Sequence, residues 1–137
     1  MTPEQRTVLV LDDEKVVRES LVDYFEDSGW RALPATSAEA ALEILGRERV
    51  DGALVDMRLP GMSGDAFIRE AHRLWPGMAF VVVTGSPELC PSGGSRELAE
   101  GLPGTSGKIF EKPIEDLGEL EAELARQIDQ RKGSEGK

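Results

Sequence analysis

The feature that most constrains this chain is a set of short apolar runs in which polar and apolar residues do not alternate. Residues 8–11 read Val-Leu-Val-Leu, residues 53–55 read Ala-Leu-Val, and residues 78–83 read Met-Ala-Phe-Val-Val-Val. Strands with one solvated face alternate in polarity, whereas strands covered on both faces, as in parallel sheets, are apolar throughout. These runs therefore predict central strands of a parallel sheet with helices on both sides.

Helical patterns lie between the apolar runs. An amphipathic stripe follows the first run and ends at Gly29, a residue suited to the end of a helix. Ser37 is suited to cap a second helix, and Ser63 or Gly64 to start a third. We expect these helices to direct the following side chains into the core: Val16, Leu21, Tyr24, Phe67, Ala71, Leu74 and Trp75.

Strand and helix alternate through the whole chain. The predicted strands are residues 8–11, 30–35, 51–56, 78–84 and 108–111. A last helix over residues 114–131 carries an acidic face that we expect to be solvated. The pattern predicts an α/β fold with a doubly wound, five-stranded parallel sheet of order 2-1-3-4-5. Residues 85–107 are rich in glycine and proline, which predicts a weak or irregular fourth helix.

Length and composition limit the class of protein. A chain of 137 residues is expected to form one domain. We expect a short extension over residues 1–6, the domain over residues 7–131, and a disordered tail over residues 132–137. The net charge of −10 disfavours nucleic acids and anionic membranes as partners. A single cysteine, no apolar leader and no run of membrane-spanning length favour a cytoplasmic location.

Polar residues stand where the predicted strands end. Asp12 and Asp13 follow the first strand, Asp56 ends the third, Thr84 ends the fourth, and Lys112 follows the fifth. Doubly wound sheets bind ligands outside the carboxyl ends of their strands. We therefore expect these side chains to meet at one edge of the sheet, around a bound ligand.

The acidic residues of this group are suited to a magnesium ion. Carboxylates that share one cleft repel each other unless a cation lies between them. Mg2+ prefers oxygen ligands and commonly binds one or two carboxylates together with phosphate oxygens. We expect Asp13 and Asp56 to be direct ligands, with the main-chain carbonyl of Arg58 as a third and Asp12 acting through a water.

A metal at this edge would allow Asp56 to act as a nucleophile. With its charge offset, an Asp56 carboxylate oxygen can attack phosphorus and form an acyl phosphate. Lys112 offers a positive charge to the phosphoryl oxygens. The Thr84 hydroxyl can donate a hydrogen bond to another of them.

The motifs at these strand ends resemble those of a known family. They are Asp12-Asp13-Glu14, Asp56-Met-Arg-Leu-Pro-Gly-Met-Ser-Gly, Thr84-Gly85 and Lys112-Pro113. Together and in this order they look like the receiver domain of bacterial two-component response regulators, a CheY-like domain of flavodoxin-like fold. The resemblance covers residues 7–131.

The resemblance implies roles for individual residues. Asp56 would be the phosphoacceptor, and Asp12, Asp13 and Asp56 would form the magnesium site. Thr84 would supply a hydroxyl and Lys112 an amine to the phosphoryl group. The bond between Lys112 and Pro113, often cis in this family, would be cis here.

The resemblance also implies partners. The phosphoryl donor would be a sensor histidine kinase or a histidine phosphotransfer protein, and the output would be docking to an unknown downstream protein. The activity would be that of a phosphoacceptor switch, not of an enzyme, beyond self-phosphorylation and autodephosphorylation. The chain is expected to be a stand-alone regulator or a receiver excised from a longer protein. Its oligomeric state is open.

Two features depart from the family pattern. The family usually has an aromatic residue three positions before the lysine, whereas this chain has Ile109 there and Phe110 one place later. Neighbouring residues of a strand face opposite sides, so Phe110 should face away from the usual position. The Gly/Pro-rich residues 85–107 replace the usual fourth helix. We expect this segment to be mobile and to become ordered on phosphorylation or partner binding.

Two other functions fit parts of the pattern. A magnesium-dependent phosphohydrolase of the haloacid dehalogenase kind also uses an aspartyl nucleophile, but its Asp-x-Asp pattern is absent, since Arg58 stands two places after Asp56. A pseudo-receiver would bind a partner without accepting phosphate. The presence of every acceptor-site residue argues against that alternative.

Overall fold

The computed structural model describes residues 5–59, 61–85 and 109–135, with side chains up to Arg131. Five parallel strands form one sheet in the order β2-β1-β3-β4-β5. The strands are β1 (Thr7–Leu11), β2 (Arg31–Ala35), β3 (Gly52–Val55), β4 (Ala79–Thr84) and β5 (Ile109–Glu111). The helices within the described ranges are α1 (Lys15–Asp27), α2 (Ala38–Arg47), α3 (Gly64–Leu74) and α4 (Leu117–Glu135).

The central strands are covered on both faces. Every residue of β1, β3 and β4 is buried. On one face of the sheet, alternate strand residues such as Leu9, Ala53 and Phe80 pack with side chains of α2 and α3. On the other face, residues such as Val10 and Leu54 pack with side chains of α1 and α4. This two-sided burial explains the uniformly apolar runs and confirms the predicted doubly wound fold and its strand order.

Several local predictions are also confirmed. The Ser37 hydroxyl oxygen accepts a hydrogen bond from the Ala40 backbone N–H at 3.1 Å, as a helix N-cap does. Gly29 follows the end of α1 with a φ of 94°, a conformation that glycine adopts without steric cost. Helix α3 begins at Gly64, directly after Ser63.

The expected core positions were wrong at two helix ends. Val16, in the first turn of α1, is 77% exposed, and Leu74, the last residue of α3, is also exposed. Both lie on the apolar stripe of their helix, but a stripe is covered only where another element packs against it. The exposure of Val16 and Leu74 shows that core packing does not extend to these terminal turns.

Predictions for the last helix were wrong in extent and in burial. Helix α4 begins at Leu117 rather than residue 114 and continues to Glu135 rather than ending near Arg131, so it enters the range expected to be a disordered tail. Its acidic residues are not all solvated, because Glu123 is buried. Glu121 accepts hydrogen bonds from the Tyr24 hydroxyl and from the Trp30 Nε1–H, both at 2.8 Å. Glu121 therefore links α4 to α1 and to the residue that directly precedes β2.

Two further expectations concern the region around β5. The predicted irregular fourth helix was placed in residues 85–107, of which residues 86–107 lie outside the described residues. Phe110 is buried among side chains of α1 and α4, whereas Ile109 packs against the opposite cluster. The predicted departure from the usual aromatic position is thus confirmed.

None of the helices in the described part of the chain combines the length and the apolar character that a membrane span requires.

Candidate functional site

Backbone hydrogen bonds join the carboxyl ends of neighbouring strands. The Asp56 N–H donates to the Leu11 carbonyl at 3.0 Å, so β3 remains paired with β1 where it reaches the aspartate. The Lys112 N–H donates to the Thr84 carbonyl at 2.9 Å, which ties the end of β5 to the end of β4. Because the strands are parallel and in register, Asp12, Asp56 and Lys112 emerge at the same edge of the sheet.

The Lys112 ammonium lies among three carboxylates. Its Nζ is 2.7 Å from Asp12 Oδ2, 2.8 Å from Glu14 Oε1 and 3.1 Å from Asp56 Oδ2. The side chains of Asp12, Asp56 and Lys112 are 3%, 4% and 8% exposed. We refer to Asp12, Asp13, Glu14, Asp56 and Lys112 as the carboxyl-end cluster.

Backbone donors hold the other oxygens of the two buried carboxylates. Asp12 Oδ1 accepts from the Glu14 N–H at 2.8 Å, and Asp56 Oδ1 accepts from the Arg58 N–H at 3.1 Å. Each buried carboxylate therefore has a backbone N–H on one oxygen and the Lys112 ammonium on the other. These bonds fix the direction of both side chains.

Burial and hydrogen bonding shift the pKa values of the cluster in different directions. Burial raises the pKa of Asp56, because the ionised form loses solvation; the Arg58 N–H and Lys112 offset this only in part. Burial alone would lower the pKa of Lys112, but hydrogen bonds to Asp12 and Glu14 outweigh it and raise that pKa above its usual value. The hydrogen bond from Lys112 lowers the pKa of Glu14.

The cluster lines a cleft large enough for a small ligand. The cleft has a volume of about 670 Å³, and Asp13, Asp56, Arg58 and Lys112 are among the residues that line it. Asp13 is exposed, whereas Asp56 lies at the buried side of the group. Reactive and charged side chains are thus accessible from one opening.

The comparisons with known proteins agree with this architecture. The sequence profile of the family described as "Response regulator receiver domain" matches residues 8–91. This chain belongs to that family.

Known receiver domains resemble this one in sequence and in structure. It is 33% identical to the transcriptional regulatory protein FixJ of Azorhizobium caulinodans over 132 residues, covering 93% of this chain and 59% of FixJ. It is 30% identical to sporulation initiation phosphotransferase F of Bacillus subtilis, covering 66% of this chain and 73% of that protein. A CheY-like receiver domain from Methanospirillum hungatei superimposes with a TM-score of 0.80 at 25% identity, covering 96% and 99% of the two chains.

Other curated relatives are considerably longer. The chain spans 17%, 21% and 33% of the lengths of three of them. The likeness therefore concerns the receiver domain, and the activities of those whole proteins belong to them.

The acidic residues of this receiver domain have the chemistry of a magnesium site. Asp12, Asp13 and Asp56 each offer a carboxylate oxygen, and these atoms lie within 4.8 Å of one another. Hard oxygen donors at this spacing suit a divalent cation that retains some of its waters. The residues present therefore fit Mg2+.

The structure brings together most of the residues selected from the sequence. Asp12, Asp13, Asp56 and Lys112 share the cluster, and the Lys112–Pro113 bond is cis, as expected. Thr84 is fully buried at the end of β4, where its carbonyl accepts from Lys112. The donor role of its hydroxyl and the ligand role of the Arg58 carbonyl remain predictions.

Two features of the receiver site were not foreseen. One is the contact between Glu14 and Lys112, for which the sequence signal was the position of Glu14 directly after the Asp12-Asp13 pair. The other is the close packing of α3 against the turn after β3. A Cβ atom on Gly64 would clash with the Asp56 carbonyl oxygen, so glycine is required where α3 begins.

Proposed function

We propose that this receiver domain accepts a phosphoryl group on Asp56 in a Mg2+-dependent reaction and signals by changing its binding surface. The observation that carries the proposal is the convergence of Asp56 with Asp12 and a buried Lys112 in one cleft. A buried carboxylate with a raised pKa is costly to maintain, which makes a purely structural role a poor explanation.

In the proposed reaction, one Asp56 carboxylate oxygen attacks the phosphorus of a phosphohistidine. The new O–P bond forms as the P–N bond breaks, and the electron pair of that bond returns to the imidazole nitrogen. The Lys112 ammonium, already 3.1 Å from Asp56 Oδ2, donates hydrogen bonds to the phosphoryl oxygens. The Thr84 hydroxyl donates to another of these oxygens.

Asp12, Asp13 and Asp56 are the residues that would hold Mg2+, with the Arg58 carbonyl as a further ligand. When bound, the ion would offset the negative charges of the carboxylates and of the phosphoryl group. The backbone N–H groups of Glu14 and Arg58 hold Asp12 and Asp56 in the orientations that the site needs.

Receiver domains partner with histidine kinases or histidine phosphotransfer proteins. We propose one of these as the donor, a downstream protein as the target, and the cytoplasm as the location. We also propose that the receiver unit spans residues 7–131 and acts as a phosphoacceptor switch without further enzymatic activity.

The two alternative functions predict different outcomes. A pseudo-receiver would take no phosphoryl group, whereas a phosphohydrolase would release phosphate from small esters over many turnovers.

Acetyl phosphate labelling tests the proposal. Incubation with acetyl phosphate and Mg2+ should add one phosphoryl group to the wild-type chain, as measured by intact mass spectrometry. The label should be lost in Asp56→Asn and in EDTA, and retained in Asp27→Asn, a matched change at the exposed end of α1. Labelling that persists in Asp56→Asn, or that never appears in the wild type, would contradict the proposal.

A further inference from the structure

The three carboxylates that accept hydrogen bonds from Lys112 differ in their exposure to solvent. An ammonium has three N–H donors, and here they face three carboxylates, those of Asp12, Glu14 and Asp56. Two of these carboxylates are nearly buried, whereas the Glu14 side chain is 61% exposed. A phosphoryl group on Asp56 can receive a hydrogen bond from Lys112 only if one of these contacts is exchanged.

The three contacts differ in how easily they can be exchanged. A buried carboxylate that loses its cation remains poorly solvated, which is costly; this applies to Asp12 throughout and to Asp56 until its O–P bond forms. An exposed carboxylate that loses its cation is solvated by water at little cost. The Glu14 contact is therefore the one that an incoming anion displaces most readily. Glu14 also lines the cleft through which an anion would enter.

We propose that Glu14 is a positioning residue whose carboxylate binds the Lys112 ammonium and is displaced by an incoming phosphoryl group. Its carboxylate occupies the third N–H of the ammonium until a phosphoryl group replaces it. This inference rests on the proposed function, because it assigns Glu14 a part in phosphoryl binding at the same site.

The proposal has a direct consequence for binding. If Glu14 competes with the phosphoryl group for Lys112, removal of its carboxylate should strengthen the binding of a phosphoryl mimic. A residue that only supports the fold would have the opposite effect, since its loss would weaken the site. Glu14 makes no side-chain capping hydrogen bond to α1, so its replacement leaves the start of that helix intact.

Beryllofluoride titration at saturating Mg2+, followed by 19F NMR and calorimetry, tests the proposal. Glu14→Gln should bind beryllofluoride about two- to fivefold more tightly than the wild type, the scale of an exposed ion pair. Glu14→Asp retains the charge but is too short to maintain the contact, so it should also bind more tightly than the wild type. Glu19→Gln, an equal loss of charge at an exposed position of α1, should bind like the wild type.

The outcomes separate this inference from the proposed function. Unchanged or weaker binding in Glu14→Gln, with normal binding in the wild type, would overturn the role of Glu14 alone. Tighter binding in Glu14→Gln with wild-type binding in Glu14→Asp would also overturn it, because charge rather than contact would then be responsible. Absence of beryllofluoride binding in the wild type and in Glu19→Gln would overturn the proposed function, and this inference with it.

Discussion

Two regions of the molecule pair opposite charges at similar distances but in different surroundings. In the carboxyl-end cluster, Lys112 Nζ lies 2.7 Å from Asp12 Oδ2, and both side chains are nearly buried. On the outer surface, Arg31 Nη1 lies 2.9 Å from Glu48 Oε1, with exposed fractions of 47% and 36%. Distance alone does not distinguish the two pairs, whereas exposure does.

The difference in exposure changes what each pair contributes. Surface ion pairs contribute about 0–1 kcal/mol, because water already solvates both charges. Buried charges lose that solvation, and their mutual attraction does not always compensate for it. In the carboxyl-end cluster, one ammonium serves both Asp12 and Asp56, and the pKa of Asp56 remains raised. The cluster is therefore better explained by the chemistry it allows than by stability.

The largest effect is expected when Lys112, the cation that Asp12 and Asp56 share, is removed. Lys112→Met would leave Asp12 and Asp56 facing each other without their ammonium. Removing one partner of a buried ion pair is strongly destabilising, so we expect the free energy of unfolding to fall by about 3 kcal/mol in metal-free buffer. Urea denaturation at pH 7 measures this change.

A matched control variant and a measurement with added Mg2+ accompany this test. Lys15→Met, at the exposed start of α1, should change stability by less than about 0.5 kcal/mol. Mg2+ should restore more stability to Lys112→Met than it adds to the wild type, because the carboxylates of the variant have no other cation. Equal stability of Lys112→Met and the wild type without metal would show that Asp12 and Asp56 do not depend on Lys112.

Asp56→Asn removes a buried negative charge from the carboxyl-end cluster instead of its cation. Burial raises the pKa of Asp56, so the folded state disfavours its ionised form. The contribution of Asp56 to the stability of the wild type should therefore decrease as pH rises from about 4, the ordinary pKa of Asp, through the higher pKa of the folded state. Without metal at pH 7, the free energy of unfolding of Asp56→Asn should exceed that of the wild type by about 1 kcal/mol.

The pH dependence provides the control for this prediction. As the pH falls below about 4, the carboxyl becomes protonated in the unfolded state as well as in the folded state, so the advantage of Asp56→Asn should approach zero. Thermal unfolding of both proteins from pH 3.5 to 8 in EDTA measures the difference. A difference that stays constant across this range would mean that ionisation of Asp56 is not its cause.

The contrast between the two regions also explains how much the sequence alone could predict. The apolar runs identified the strands because each run is too short for a typical helix, rich in valine and leucine, and apolar throughout, as burial on both faces requires. Asp12, Asp56 and Lys112 could be grouped because parallel strands bring their carboxyl ends to one edge, whatever their distance along the chain. Both inferences depend only on the order and direction of the strands in the sheet.

Features that depend on individual side-chain packing could not be predicted in this way. Val16 belongs to the apolar stripe of α1 but lies exposed in its first turn. Glu121 belongs to an acidic pattern, yet it accepts hydrogen bonds from Tyr24 and Trp30 far away in sequence. The contact of Glu14 with Lys112 likewise joins a long exposed side chain to a residue 98 positions away. Helical periodicity contains no information about such partners.

The smallest expected effect comes from the surface pair, and it completes the comparison. Arg31→Gln, Glu48→Gln and the double variant form a thermodynamic cycle that isolates the energy of their interaction. We expect about 0.2–0.5 kcal/mol from urea denaturation, decreasing further in 1 M salt because exposed charges are screened. A value comparable with the loss in Lys112→Met would show that exposure does not determine what these pairs contribute, and the explanation of the carboxyl-end cluster would then fail as well.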